Sequence, residues 1–363
     1  MGGAVRDYLL GIQSGDVDIT TNAHPEEVQR LFERTILTGK AFGTITVLHG
    51  GYAYEVTTYR SETQYDNHRH PSQIQFADDV RDDLSRRDFT INQLLMDEKG
   101  TIHDLHGGQD DLHRGIIRTI GDPSARFNED ALRMLRAFRF MAVLGFSLES
   151  SAADAIAQTH EVLRHVSVER IHAELFKLFD AHHKPRAIKA MVQSGIHTTL
   201  GLSRTLTALQ SVQSPYDSTE AFALGMRAGE VDQERFRLSK QFTRTITAVS
   251  DAYERARARG WTPKIVFDYG LQIAEHANRL NVMLGGRDES KTLKDIDAAL
   301  KIRDSKELAI DGRAIKALRP KKNSHIARTL DALNEAVLNG EVANEKTALT
   351  KRAKTILNTL KGE

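Results

Sequence analysis

The pattern of apolar residues changes near residue 120 and divides the chain into two fold classes. Before this point, short alternations typical of strands are interleaved with helical patterns, whereas from Asp122-Pro123 onward almost every segment has helical periodicity. We therefore expect an α+β fold in which a mixed sheet with helices comes first and an all-α portion follows.

Individual elements follow from the same periodicity. In the first part, the sequence predicts strands at 17–19, 44–48 and 52–59, a helix at 25–32, and a final strand pair at 94–96 and 101–104. His49-Gly50-Gly51 indicates a hairpin between two of these strands. Residues 61–76 are polar without a clear period, so we expect a mobile loop there. In the second part, helices are predicted at 128–144, 149–164, 167–180 and 184–194.

Composition excludes several classes of protein. The 363 residues include no cysteine, which rules out disulfides, thiolate zinc sites and a cysteine nucleophile, and fits a reducing cytoplasm. We find no signal peptide and no apolar run of the ~20 residues that a membrane span needs. The net charge is +1, so any affinity for nucleic acid has to come from local patches.

Asp16 and Asp18 are the first candidates for chemistry. Two carboxylates at i and i+2 on a strand point to the same side, and they repel each other unless a cation lies between them. Oxygen ligands of this kind suit Mg²⁺. The upstream run Gly2-Gly3-Ala4-Val5-Arg6-Asp7 lets backbone and Arg6 approach a phosphate. A solvated turn is the alternative for the acidic pair alone. Because phosphate-binding turns normally follow a strand, we also expect a first strand ahead of Gly2 that this sequence does not include.

Two further runs in the first part extend this hypothesis. Glu55 lies on a predicted strand, where it either binds a metal or accepts the proton of an attacking hydroxyl; the alternative is an exposed strand residue. The run Arg86-Arg87-Asp88-Phe89-Thr90-Ile91-Asn92 places two arginines together. One of them is suited to clamp a triphosphate while Asp88 or Asn92 orients it or contacts a ribose, and a surface helix cap is the alternative.

A predicted helix over 129–140 brings charged residues to one face. Glu129 and Asp130 precede Arg133 by four and three residues, so the three side chains share one face. A fixed pair of Asp130 and Arg133 has the donors and acceptors to read the edge of a base. Arg136 and Arg139 follow at i+3 steps and are candidates to reach phosphates. A salt-bridged helix facing solvent is the alternative.

The last ~50 residues contain a basic cluster. We interpret it either as a solvated helical face or as a surface that contacts phosphates. Its members are Arg313, Lys316, Arg319, Lys321, Lys322 and Arg328.

With these motifs in order, the chain resembles the class II tRNA nucleotidyltransferases, the CCA-adding enzymes of the DNA polymerase β superfamily. The resemblance also includes the runs Thr38–Ile45, Tyr65–Pro71, Ser167-Val168-Glu169-Arg170-Ile171 and Leu308-Ala309-Ile310-Asp311-Gly312. It implies a polymerase-β-like nucleotidyltransferase head followed by an all-α neck, body and tail. We place these at residues 1–121, 122–180, 181–260 and 261–363.

The resemblance implies template-independent addition of C, C and A to the 3′ end of tRNA, with CTP and ATP as substrates and Mg²⁺ as cofactor. Residue by residue, it implies that Asp16 and Asp18 hold the metal, and that Gly3, Arg6 and Arg87 hold the triphosphate and ribose side of the nucleotide. It also implies that Asp130 and Arg133 select the base, and that Arg136 and Arg139 line the same pocket. The expected partner is the acceptor stem and elbow of tRNA, with no membrane and a monomeric or homodimeric state.

Other activities remain open at this point. An enzyme that adds only A shares these motifs. A poly(A) polymerase shares the head but differs after its first motif, where Thr38–Ile45 looks like the CCA-adding form. A small-molecule nucleotidyltransferase and a non-catalytic RNA-binding protein are further alternatives. The intact Asp16, Asp18 and Arg87 argue against the non-catalytic protein, because binding alone needs no metal pair. The long helical part with its basic tail favours a large RNA over a small molecule.

Overall fold

A computed structural model of the protein describes residues 1–13, 17–39, 43–66 and 70–360, and it leaves the side chains of 38–39, 61–66 and 70–74 undescribed. In the first 121 residues the strands are β1 (Asp18–Thr21), β2 (Thr35–Gly39), β3 (Thr44–His49), β4 (Tyr52–Thr58), β5 (Arg60–Asp66), β6 (His70–Phe76), β7 (Leu95–Met96), β8 (Ile102–His103) and β9 (Ile116–Ile117). The helices there are α1 (Gly3–Leu9), α2 (Pro25–Leu31), α3 (Val80–Ser85) and α4 (Gly108–Arg114), with a short 3₁₀ turn at Thr90–Asn92.

From residue 122 onward the described chain is helical apart from the two-residue strand β10 (Ser147–Leu148). Its helices are α5 (Pro123–Glu129), α6 (Leu132–Leu144), α7 (Ser150–Thr159), α8 (Val168–Phe179), α9 (Lys184–Gln193), α10 (Ile196–Thr199), α11 (Ser203–Leu209), α12 (Ser218–Arg227), α13 (Gln233–Phe236), α14 (Lys240–Arg259), α15 (Pro263–Tyr269), α16 (Leu271–Met283), α17 (Ser290–Ala298), α18 (Gly312–Ala317), α19 (Ser324–Leu338) and α20 (Lys346–Leu360). Short 3₁₀ segments lie at His160–His165 and Ser305–Glu307. The predicted change of fold class near residue 120 is confirmed.

The central sheet has four strands in the order β1-β4-β3-β2. Strands β3 and β4 form the predicted antiparallel hairpin, and β1 lies parallel to β4 with Asp18 opposite Glu55. One face of the sheet buries Ile45, Val47 and Val56 against Val28 of α2. This packing fixes the register, because a slip of one residue would turn the apolar side chains to solvent.

Residues 61–76 are not the mobile loop that the sequence predicted. Strands β5 and β6 pair antiparallel over Arg60–Asp66 and His70–Phe76. Both segments are polar, so they lack the apolar alternation from which a half-buried strand is recognised. The intervening residues 67–69, part of the predicted family motif at 65–71, lie outside the described residues, as do 40–42 in the motif at 38–45.

The helix predicted over 128–144 is interrupted. Helix α5 ends at Glu129 and α6 begins at Leu132, with Asp130 in an extended conformation (φ −137°, ψ 101°). The Asp130 carboxylate accepts a hydrogen bond from the Leu132 amide at 3.1 Å and so starts the new helix. The helix predicted over 149–164 likewise ends at Thr159 and continues as the 3₁₀ segment.

The described chain forms two compact units. The first contains residues 1–212 and 235–237, and the second contains 213–234 and 238–363. In the first unit, Leu132, Leu135 and Phe138 of α6 are buried as predicted, and α6 packs on α8 and α9. In the second unit, α18, α19 and α20 enclose an apolar core that includes Ile315, Leu333 and Leu349. Among the described residues, none of the helices is both long and apolar enough to span a bilayer.

Candidate active site

A polar cleft of about 520 Å³ lies in the first unit. Nine of the ten site residues predicted from the sequence line it, namely Gly3, Arg6, Asp18, Glu55, Arg87, Asp130, Arg133, Arg136 and Arg139. The tenth, Asp16, lies outside the described residues. The fold therefore brings together residues that are up to 136 positions apart in the sequence.

The acidic part of the cleft is formed by two neighbouring strands. Asp18 of β1 and Glu55 of β4 are register partners in a parallel pair, so their side chains leave the same face of the sheet about 4.8 Å apart at the backbone. Asp18 is half-buried and Glu55 is exposed. Within the described part of the chain, neither carboxylate has a hydrogen-bond or ion-pair partner. Both are thus available as oxygen ligands.

Arg86 and Arg87 are oriented by a carboxylate that the sequence analysis did not identify. Asp83 of α3 is fully buried and accepts from Arg86 at 2.6 Å and from Arg87 at 3.0 Å. Burial alone would raise the pKa of Asp83, but attraction and hydrogen bonds from both arginines outweigh it and hold that pKa below its ordinary value. The spacing of three and four residues on a short helix was the available sequence signal for this interaction.

Asp88 and Asn92 connect Arg6 of α1 to Arg136 of α6. Asn92 accepts from Arg6 at 2.6 Å and donates to Asp88 Oδ1 at 3.0 Å. The other oxygen of Asp88 accepts from Arg136 Nε at 2.7 Å and Nη2 at 2.5 Å, and Oδ1 also accepts from the Phe89 amide. All four acceptor positions of this carboxylate are therefore used, which leaves none for the ribose contact that the sequence suggested.

The pKa of Asp88 reflects this arrangement. Burial acts to raise it, but the guanidinium of Arg136 and the hydrogen bonds from Asn92 and Phe89 lower the pKa to about 2. In turn, Asp88 raises the pKa of Arg136. The pair is therefore fully charged at neutral pH, and it fixes the position of Arg136 in the cleft.

Asp130 and Arg133 line the cleft, and among the described residues their side chains have different partners. Arg133 donates to Glu129 at 2.7 Å, the predicted i,i+4 contact, and to the Arg86 carbonyl at 2.8 Å. Asp130 instead accepts from Arg170 of α8 at 3.0 Å. The proposed base-reading groups are thus held separately, each from a different part of the chain.

A second acidic cluster lies in the second unit. Asp217, Glu220 and His276 place ligand atoms within 4.8 Å of one another. Arg279 donates to Glu220 at 2.8 Å, and its other nitrogen is 3.7 Å from Asp217. A guanidinium already neutralises this cluster, so it is a structural ion-pair network and not a metal centre.

A larger groove of about 1050 Å³ lies beside β1 in the first unit. Its walls are mostly apolar side chains, among them Tyr8, Ile12, Val17 and Ile19, and none of the motif arginines lines it. The polar cleft is therefore the candidate active site.

Known proteins resemble this chain along its length. Residues 1–118 match the family model "Poly A polymerase head domain", 145–201 match "Probable RNA and SrmB- binding site of polymerase A", and 229–353 match a model for tRNA nucleotidyltransferase domain 2. The CCA-adding enzyme of Anoxybacillus flavithermus is 39% identical over 365 residues, covering 97% of this chain and 91% of that enzyme. The CCA-adding enzyme of Geobacillus kaustophilus is 38% identical over 362 residues, covering 95% and 90% respectively.

A solved structure is also similar. The CCA-adding enzyme of Bacillus stearothermophilus, crystallised with CTP, superimposes with a TM-score of 0.88 at 35% sequence identity, covering 99% of this chain and 93% of that one. This likeness confirms the predicted fold class, an α+β protein with a polymerase-β-like head followed by helices.

Proposed function

The chain belongs to the family of CCA-adding enzymes, and we propose that its polar cleft is the site at which nucleotides are transferred to the 3′ end of tRNA. The chain is a nucleotidyltransferase that adds C, C and A without a template, using CTP and ATP. One observation supports this use of the cleft above others. The carboxylates of Asp18 and Glu55, on adjacent strands, have no hydrogen-bond or ion-pair partner among the described residues. By contrast, the arginines of the cleft form ion pairs with other carboxylates, as Arg87 does with Asp83 and Arg136 with Asp88.

Asp18 is the described residue best suited to hold a Mg²⁺ ion, together with Asp16. The donor set fits the ion, because Mg²⁺ prefers one or two carboxylates combined with substrate phosphates and water. Glu55 would complete the set or accept the proton of the attacking hydroxyl. When bound, the ion would stabilise negative charge on the α-phosphate and lower the pKa of the tRNA 3′-hydroxyl.

The arginines of the cleft would bind and orient the nucleotide. We assign the triphosphate to Arg6, in the last turn of α1, and to Arg87, two residues after the end of α3, with Gly3 allowing close approach of the backbone. Arg136 and Arg139 line the same cleft from α6. Asp130 and Arg133 offer acceptors and donors for the base edge, so discrimination of C and A from other bases would depend on them.

We assign four parts of the chain to different tasks. Residues 1–121 hold the transfer site, 122–180 select the base, 181–260 form the helical body, and 261–363 bind the tRNA. The six basic residues of the tail cluster are exposed, as a phosphate-contacting surface requires. A cytoplasmic location fits the tRNA substrate and the absence of cysteine.

Extension of a tRNA transcript that ends at the discriminator base tests the function. With Mg²⁺ and CTP we expect addition of two C residues, and with CTP and ATP a stop after CCA. One A added only to a CC-ended tRNA would indicate an A-adding enzyme, an unbounded A ladder a poly(A) polymerase, and no extension a non-catalytic RNA-binding protein.

The Asp18→Asn variant tests the assignment of the metal site. We expect kcat to fall about 10³-fold, since stabilisation of developing charge by a metal contributes several kcal/mol. Asp110→Asn is a matched control, because Asp110 is an exposed carboxylate on α4 whose ion pair with Arg114 is 3.8 Å long. Equal activity of the two variants would contradict the assignment.

A further inference from the structure

One aromatic ring in the cleft is shared by three arginines. The guanidinium carbons of Arg6, Arg136 and Arg139 lie 5.2, 5.5 and 4.3 Å from the centre of the Phe140 ring. Phe140 is on α6, is 6% exposed and is itself a wall of the cleft. Its ring is fixed from behind by an edge-to-face contact with Phe89 at 5.8 Å.

Each of these arginines has a different anchor at its other side. Arg6 donates to Asn92 at 2.6 Å, Arg136 pairs with Asp88 at 2.5 Å, and Arg139 pairs with Glu174 at 3.2 Å. Two of these anchors, Asp88 and Asn92, lie in one segment and are hydrogen-bonded to each other, whereas Glu174 lies on α8. The phenyl ring lies within 6 Å of all three guanidinium groups, including that of Arg139, which neither Asp88 nor Asn92 hydrogen-bonds in the described structure.

Three like charges gathered around one point repel one another. Arg139 illustrates the cost, because burial, and next the nearby charge of Arg136, lower its pKa below the ordinary value. The face of a phenyl ring carries negative charge density and attracts cations within about 6 Å. A ring at this position reduces the cost of holding the guanidinium groups together before a negatively charged substrate arrives.

We infer that Phe140 is a positioning residue that preorganises Arg6, Arg136 and Arg139 to receive the polyphosphate of either nucleotide. This inference rests on the proposed function of the cleft. It predicts that Phe140 governs nucleotide affinity and not base choice, because a polyphosphate is common to CTP and ATP. It also predicts that an aromatic ring is required there, not merely an apolar side chain.

The test compares Phe140→Met, which keeps apolar volume but removes the ring, with Phe140→Tyr, which keeps the ring. Phe138→Leu is the matched control, since Phe138 lies on the same helix, is 1% exposed and faces away from the cleft. We expect Phe140→Met to raise KM for CTP and ATP by the same factor, about tenfold on the usual strength of cation–π contacts, with kcat within about twofold. Phe140→Tyr and Phe138→Leu should keep KM near that of the wild type.

Calorimetric titration of inorganic tripolyphosphate into the full chain gives a readout without catalysis. Phe140→Met should weaken its binding by the same factor as KM, while a melting curve followed by circular dichroism establishes that the variant is folded. Unchanged tripolyphosphate affinity in folded Phe140→Met, or an equal loss in Phe140→Tyr, would overturn the inference. Failure of the proposed function is distinguishable, because the wild type itself would then extend no tRNA.

Discussion

The ion pair between Asp88 and Arg136 yields a quantitative prediction. Asp88 is 8% exposed, and its two oxygens accept four hydrogen bonds, two of them from the guanidinium of Arg136. Asp88→Asn keeps the shape of the side chain but removes its charge. The Asn side chain has one neutral oxygen and one NH₂ group in place of the two carboxylate oxygens. Whichever of these faces the guanidinium, Arg136 loses its charged partner.

The magnitude follows from the pKa of Asp88. That pKa falls to about 2 from the ordinary 3.8, a difference equivalent to about 2 kcal/mol of folding free energy at neutral pH. Because the pKa is lower in the folded state, this stabilisation is complete above about pH 4. It is lost as the pH falls through the folded value near 2. We therefore expect Asp88→Asn to be less stable by about 2 kcal/mol at pH 7, and the difference from the wild type to narrow below pH 4.

Urea denaturation of the wild type, Asp88→Asn, Arg136→Gln and the double variant measures this interaction. A double-mutant cycle at pH 7 should give a coupling free energy of about 2 kcal/mol, and a smaller one at pH 3. Asp110→Asn serves again as the control. Loss of its exposed ion pair with Arg114 should lower the free energy of unfolding by less than about 1 kcal/mol. Single effects that add to within about 0.5 kcal/mol, or a coupling independent of pH, would refute the reasoning.

Two further predictions concern the cleft. Asp130→Ala should relax the choice between nucleotides more than it slows transfer. Arg170→Met should act in the same direction, because Arg170 donates to Asp130 at 3.0 Å. Single-nucleotide extension assays with each of the four NTPs measure this choice, and equal losses of activity with all four would contradict the prediction. Gly2→Ala should destabilise the fold by about 1 kcal/mol and raise KM for both nucleotides, because Gly2 has φ +64° and an added Cβ would lie 3.2 Å from Arg87 Nη1. Thermal melting and steady-state kinetics check it, and a KM equal to that of the wild type would show that Arg87 adjusts without effect on the substrate.

Elements with one buried face could be predicted from the sequence. The strands β3 and β4 and helix α2 follow from apolar residues that pack together in the structure. The β5–β6 pair could not be predicted, because polar strands without apolar alternation leave no period in the sequence. The break at Asp130 could not be predicted either. No glycine or proline marks it, and the Asp130 side chain, which accepts from the Leu132 amide at the break, is also held by Arg170 forty residues away.

The candidate site shows the same division. Motifs in the sequence located nine residues that do line the cleft. They did not reveal Asp83, Glu174 or Phe140, which contact the motif arginines from α3, α8 and α6. Local spacing was the only signal for Asp83, and the partners of Arg139 depend on how α6 packs against α8. Sequence patterns therefore located the charged groups, whereas tertiary packing determines which charges neutralise each other.

The carboxylates in and behind the cleft are of two kinds. Asp83 and Asp88 are buried and paired with arginines, so their charge contributes to folding. Asp18 and Glu55 have no such partner among the described residues, and as like charges on neighbouring strands they oppose folding in the absence of a cation. Substitution of Asp18 should therefore leave the free energy of unfolding unchanged or increase it, while kcat for transfer falls about 10³-fold. Added Mg²⁺ should raise the melting temperature of the wild type more than that of Asp18→Asn, because only the wild type retains both of the proposed carboxylate ligands, Asp16 and Asp18.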